Sequence, residues 1–237
     1  QVTSATNIKS QRRLGELNTG KYRRDWRVPL LPGTVLNVGY NWSLIRFSDV
    51  LLMYAEAVNE INNGPTTEAI AAFEEVRKRG YGTNASMIGT TATDKAGFFN
   101  AIVNERALEF TGEMLRKADL IRWNLLNVKL AEAKTKLQQL ELRQGKYAAL
   151  PANIYYRTAA NGETVEIYGL NFGDTDAAGA ALNYPSSKAW TMSAANEAVT
   201  YWDALYTKDP NAQQFWPIWQ VFIDSSNGKL NNNNLKL

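Results

Sequence analysis

The stretch from Glu105 to Leu126, ERALEFTGEMLRKADLIRWNLL, constrains this chain more than any other, because it sets carboxylates and guanidiniums between large apolar side chains at helical spacing. Met114, Ala118, Ile121, Leu125 and Val128 recur every three or four residues, which predicts a helix with one continuous apolar stripe buried along that side. Between them lie Glu105, Arg106, Glu109, Glu113, Arg116, Asp119 and Arg122. Their spacing sets Glu113 against Arg116 or Lys117, and Asp119 against Arg122. Two readings of these charges stand. In one they form ion pairs and hydrogen bonds between packed helices, where a buried charge survives only if paired. Glu105, Arg106, Asp119 and Arg122 should then be mostly buried and paired with one another or with backbone. In the other they are a carboxylate catalytic site, in which two environments split the pKa values of two acids.

Composition narrows the chemistry. The 237 residues include no cysteine and no histidine. Disulfides, thiol nucleophiles and thiolate metal sites are therefore absent, as are the commonest general base and the commonest transition-metal ligand. An enzyme built on this chain would work with carboxylates, Lys, Tyr or Ser. No catalytic residue, metal ligand or cofactor site is indicated. The formal balance of 26 basic against 23 acidic residues is spread without a basic run, so nucleic-acid binding is not suggested. Lys21-Tyr22-Arg23-Arg24-Asp25-Trp26-Arg27 is the most basic cluster and reads either as a patch for a phosphate or acidic ligand or as an arm packed on the helices. No apolar run reaches the roughly 18 to 20 residues of a membrane-spanning helix.

From Trp42 the pattern turns helical. Phe47, Val50, Leu51, Tyr54, Val58 and Ile61 form a stripe, widened by Leu44, Leu52 and Ala55, and a stripe so wide implies neighbours on two sides. Asn62-Asn63-Gly64-Pro65 stops this helix, and Thr66 or Thr67 caps the next. That helix turns Ala69, Phe73 and Val76 inward and sets Glu74 against Lys78 and Glu75 against Arg79. The two make a hairpin, in which Ala69 and Phe73 fit a fragment of the tetratricopeptide pattern. A loop from Gly80 to Thr93 leads to a helix carrying Phe98, Phe99, Ile102 and Val103, and a long helix carries Leu126, Leu130, Ala133, Leu137 and Leu140.

Composition shifts at Lys146. Residues 154–158 and 164–168 are β-prone runs joined through Asn161-Gly162, a hairpin signal. Ile154, Tyr156, Val165 and Ile167 should face a core, and Tyr155, Arg157, Glu166 and Tyr168 should be exposed. Residues 169–196, rich in Gly, Ala, Asn, Asp and Ser around Trp190, read as a long surface loop. A short helix is expected around Glu197 to Leu205. The expected architecture is mainly α: tetratricopeptide-like helical hairpins packed with a long helix, irregular loops and a small β-hairpin. A helical core spans about 42–145, a loop-rich and hairpin segment about 146–196, and a C-terminal segment 197–237.

The central stretch resembles the SusD/RagB family signature E-R-x-x-E-x-x-x-E-G-x-R-x-x-D-L-x-R-W. Glu105, Arg106, Glu109, Glu113, Arg116, Asp119, Leu120, Arg122 and Trp123 match it, and Met114 stands where the family has glycine. The run IRFSDVLLMYAEA from Ile45 to Ala57 is close to a second family motif. The tail, Phe215-Trp216-Pro217-Ile218-Trp219, resembles the closing P-I-P, with Trp219 in place of the second proline. In the family this closing pattern and an asparagine near the end lock the C-terminus onto the helices. The resemblance runs from about Lys21 to the C-terminus, so the chain looks like the C-terminal half of such a protein. It implies an outer-membrane lipoprotein facing the outside, anchored through an N-terminal part. Such a protein captures oligosaccharides or other nutrients as the lid of a SusC-like TonB-dependent transporter. The missing N-terminal half is a further partner.

Sugar capture needs aromatic faces for apolar C–H surfaces, with amides, carboxylates and guanidiniums nearby for hydroxyls. Trp190, Tyr155, Tyr168 and Arg157 are the candidate ligand-binding residues, with Trp202 behind them. A helical-repeat scaffold that binds protein and no glycan is the alternative. A carboxylate-based glycoside hydrolase is the third reading.

Overall fold

A computed structural model describes residues 21, 28–29, 41–160, 162, 164–189, 207 and 209–232. Trp190, Trp202, Asn161, most of the basic cluster at 21–27 and the helix expected at 197–205 lie outside these residues. The chain is mainly helical with a small antiparallel sheet, and it divides into two compact units, Thr19–Asp119 and the remainder. Among the described residues no helix is long and apolar enough to cross a membrane.

The first unit is built on α1 (Phe47–Ile61), α2 (Thr67–Tyr81) and α3 (Lys95–Glu109). Local chemistry sets their ends. The Thr66 side chain accepts the Ala69 N–H at the start of α2, and the Asp94 carboxylate accepts the Gly97 N–H at 2.8 Å at the start of α3. Between α1 and α2 the chain reverses through Asn63 at φ +54°, a conformation asparagine tolerates, and the Gly64 N–H reaches the Asn59 carbonyl. Leu52, Ala55, Ala69, Phe73, Val76, Phe98, Ile102 and Phe110 form the core, in which Phe73 and Phe98 meet edge to face at 5.3 Å. The hairpin and the inward Ala69, Phe73 and Val76 are as the pattern predicts, and Glu74 pairs with Lys78 at 2.9 Å. Arg79 does not pair with Glu75 but with Glu109.

Three expectations are corrected here. On α1 the buried side carries Ser48, Asp49, Leu52, Ala55 and Asn59, while Phe47 is 68% and Ile61 81% exposed. Polar side chains with partners hold the inward face, so the most apolar stripe of the helix is outward. The central stretch is not one helix either. α3 ends at Glu109, α4 covers Arg116–Arg122 and α5 covers Leu126–Glu141. Gly112 and Met114 between α3 and α4, and Asn124 between α4 and α5, all have positive φ, which breaks the 3.6-residue period. Met114 is 87% exposed, and Asp119, Leu120 and Leu126 are buried instead of Met114, Ala118 and Val128. Lastly, Arg122 is exposed and stacks 4.3 Å from the Trp123 ring.

In the second unit, the strands β1 (Asn153–Thr158), β2 (Val165–Tyr168) and β3 (Ser186–Ala189) form a sheet in the order β2-β1-β3. The region read as a long loop thus contains β3 and also a short helix, α6 (Asp176–Ala181), capped by Thr175. Further along lies α7 (Gln220–Ser225). Ahead of it the Asn232 side-chain amide clamps Ile218, accepting its N–H at 2.8 Å and donating to its carbonyl at 2.9 Å. The clamp ties the two ends of this tail segment to each other.

Candidate functional site

The charges of the central stretch bear on the catalytic reading. Arg106 is 4% exposed. Its Nε and Nη2 donate to both oxygens of Asp119 at 2.8 and 3.2 Å, and its Nη1 donates to Asp49 at 2.7 Å. Nearby, Arg46 donates to Glu113 at 2.8 and 2.9 Å and pairs with Glu109 at 2.8 Å, while Lys21 reaches Glu113 and Ser48 donates to Glu109 at 2.9 Å. Glu105 is half-buried beside Arg77 at 3.5 Å. Burial opposes ionisation of Glu113, but hydrogen bonds from Arg46 and Lys21 outweigh it and hold the carboxyl below its usual range. A carboxylate kept ionised by two cations is a poor proton donor, and one fully engaged with them is a poor base. The arrangement serves helix packing.

The sheet carries the other candidates. Antiparallel register sets Tyr155 opposite Tyr168 and Arg157 opposite Glu166, and on the other side Tyr155 opposite Ser187, so all five share one face. The pairing agrees with the sequence, but the exposure expected of this face does not. α6 crosses over Tyr155 so closely that a Cβ on Gly179 would lie 2.3 Å from its ring, and only glycine fits there. Asp176 at the start of α6 latches this cover. Its carboxylate accepts the N–H groups of Ala152 at 2.6 Å and Asn153 at 3.0 Å and the Tyr155 hydroxyl at 3.3 Å. The bond from the Ala152 N–H, with those from Asn153 and Tyr155, holds the Asp176 carboxyl below the usual aspartate range against the opposing effect of burial. The Tyr168 hydroxyl accepts the Thr175 N–H at 3.2 Å. Tyr155 and Tyr168 are therefore half-buried beneath α6 and its cap.

The uncovered part of the face is Arg157 with its neighbours. Its Nε donates to Glu166 at 2.6 Å, its guanidinium lies 4.9 Å from the Tyr184 ring, and the side chain is about half exposed. A planar cation stacked on an aromatic ring, with a carboxylate alongside, offers donors, acceptors and a ring edge to one ligand. Tyr184 was not among the predicted residues. Its signal was the one used for Trp190, an aromatic side chain alone in a run of small polar residues. Trp190 directly follows β3 and lies outside the described residues. Of the four predicted residues the structure brings Tyr155, Tyr168 and Arg157 onto one face. Among the described residues no group of three or more acidic side chains is placed to hold a metal ion.

Comparison with known proteins agrees with the motifs. A family model described as the SusD family matches residues 3–235. The SusD-like protein P25 of Formosa agariphila is 35% identical over 111 residues, 47% of this chain and 20% of that protein. A crystal structure of a SusD homologue from Bacteroides thetaiotaomicron is 36% identical over 44% of this chain and 19% of that one, with a TM-score of 0.37. The matched stretch thus spans about a fifth of each relative's length. With a family model matched along nearly all of its residues, the chain belongs to the SusD/RagB family.

Proposed function

We propose that this chain is part of a nutrient-binding component of an outer-membrane uptake complex, taking oligosaccharides as ligand and working without catalysis. In this reading it sits on the extracellular face, anchored through a lipidated part of the protein outside this chain, and partners a SusC-like TonB-dependent transporter. The observation that carries the reading is the uncovered end of the sheet face. There the exposed Arg157 and the half-buried Glu166 and Tyr184 put a cation, a carboxylate and an aromatic ring at one place, the combination that sugar hydroxyls and C–H faces require. Trp190, the next residue in sequence after β3, is proposed as a further ligand-binding residue. Membership in the SusD/RagB family supports the reading.

The test is isothermal titration of the wild type, Arg157→Ala and Trp190→Ala with a panel of plant and host oligosaccharides. Each variant should lose affinity for the preferred glycan. If both bind it as tightly as the wild type, the ligand surface lies elsewhere in the protein.

One observation favours a second reading, a helical scaffold that binds protein. Phe47, Val50, Tyr54 and Ile61 lie exposed along one side of α1. A repeat-type hairpin buries such a side against a neighbouring helix. The relatives are several times longer than the stretch they share with this chain, and we assign the stripe to further helices of the same protein. A chain that retrieves a transporter or helical partner but binds no glycan on the panel would favour the scaffold.

A further inference from the structure

A second pair of aromatic side chains, the half-buried Tyr147 and the exposed Phe172, lies outside that face. After α5 the chain makes a 3₁₀ turn, Gly145–Tyr147, in which the Tyr147 N–H donates to the Gln144 carbonyl at 3.1 Å and the Leu150 N–H donates to the Tyr147 carbonyl at 3.2 Å. Phe172 stands in the turn after β2. There the Asp174 carboxylate accepts the N–H groups of Gly169 at 3.0 Å and Asn171 at 2.9 Å. Gly169 has φ +105°, and a Cβ there would lie 2.8 Å from the Asn153 carbonyl oxygen, so this turn is seated against β1. Phe172 is thus positioned by its backbone while its side chain remains 63% exposed. Its ring lies 5.9 Å from that of Tyr147 at an interplanar angle of 35°. The Lys146 ammonium lies 5.0 Å from the Tyr147 centroid and 5.7 Å from that of Phe172. Among the described residues no carboxylate pairs with Lys146.

An exposed ring leaves its apolar area in water, and this one is fixed there by backbone bonds, not by packing. We propose that Lys146, Tyr147 and Phe172 form a contact for an acidic sugar, a uronate residue within a glycan. The Phe172 and Tyr147 rings take the C–H face of the sugar, and the Lys146 ammonium takes its carboxylate. The inference rests on the glycan-capture reading and adds to it a ligand class and a contact separate from Arg157. A neutral sugar would use the rings alone. The cation beside them provides the selectivity.

The experiment is isothermal titration of the 237-residue chain with tetragalacturonate and with its carboxyl-reduced counterpart, in which a neutral hydroxymethyl group replaces each carboxylate. The wild type should prefer tetragalacturonate, and added salt should narrow the preference. Phe172→Ala should weaken both ligands on the order of tenfold, as loss of one stacking ring does for bases, and Phe172→Trp should restore them. Lys146→Gln should remove the preference and leave the reduced ligand unaffected. Because both side chains are exposed, the variants should keep the wild-type melting temperature. The inference is overturned if the wild type binds the two ligands equally. It is also overturned if Phe172→Ala and Lys146→Gln match the wild type while Arg157→Ala loses affinity, an outcome that leaves glycan capture standing. If the wild type binds neither these probes nor any glycan on the panel, the glycan-capture reading falls and this inference falls with it.

Discussion

Arg106 in the helical unit and Arg157 on the sheet have the same kinds of neighbour. Each guanidinium is held by a carboxylate and lies just under 5 Å from an aromatic ring, Phe110 for Arg106 and Tyr184 for Arg157. They differ in water. Arg106 is sealed among Asp49, Asp119 and Phe110, with each guanidinium nitrogen donating to a carboxylate and burial closing it to a ligand. Arg157 is open to solvent, so a ligand can compete for its remaining donors. The same residue types thus make a packing device in one region and, in the proposed reading, a recognition surface in the other, and burial separates the two. The aromatic rings divide likewise. Phe73 and Phe98 fill the helical core, whereas Phe172 and Tyr184 are held near the surface by short polar turns.

The largest effect should come from breaking the sealed pair. Arg106→Ala removes the cation that Asp49 and Asp119 share and should cost about 3 to 5 kcal/mol, read as a lower denaturation midpoint. The same change at Arg157 removes an exposed pair and should cost less than about 1 kcal/mol. If the two variants unfold alike, burial does not separate the regions. Next comes Gly179→Ala, whose added methyl meets the Tyr155 ring. The overpacking should cost about 1 to 3 kcal/mol and alter tyrosine near-ultraviolet dichroism as α6 lifts from the sheet. An unchanged spectrum would mean that α6 does not cover this face as described.

Met114→Gly should act in the opposite direction. Met114 is held at φ +64° with its side chain in solvent, so glycine relieves backbone strain of roughly 1 kcal/mol at no loss of packing, and the melting temperature should rise slightly. A fall would show that the Met114 side chain makes a stabilising contact. The smallest effect should be the acid response of the sheet cover. Asp176 has a depressed folded pKa, so its contribution is present in full above the ordinary aspartate value of about 4 and is lost as pH falls below it, through the lower folded value. Near-ultraviolet dichroism of the wild type should change in that acid window, and Asp176→Asn should flatten the change. A wild-type signal that moves in the same way with and without the carboxylate would remove the latch.

How much of this was legible in the sequence follows from which signals are local. The α1–α2 hairpin, its caps and the inward Ala69, Phe73 and Val76 follow from apolar spacing and turn residues, which act within a few positions. The division of β1 and β2 into two faces followed from alternation and the hairpin signal. The inward face of α1 was hidden because Ser48, Asp49 and Asn59 are polar, and their burial depends on Arg106, Glu109 and Lys95 far along the chain. The helix breaks were half-legible: Gly112 was visible, but Met114 and Asn124 also take left-handed conformations, and methionine gives no warning of it. β3 reads SSKA, without a β-branched residue, and is a strand because β1 pairs with it. α6 did leave a signal, a Thr175 cap before an alanine run, which the surrounding Gly and Asn obscured. At the site, the cross-strand partners were readable, whereas the cover over Tyr155 and the stacking of Tyr184 on Arg157 are tertiary and were not.

The central claim, that ligand recognition belongs to the sheet region and packing to the helical unit, is tested most directly by amide hydrogen exchange of the wild type with and without its preferred glycan. The account predicts added protection within residues 146–189 and none in α1, α2 or α3. Protection centred on the Arg106 helices, with the sheet region unchanged, would contradict it.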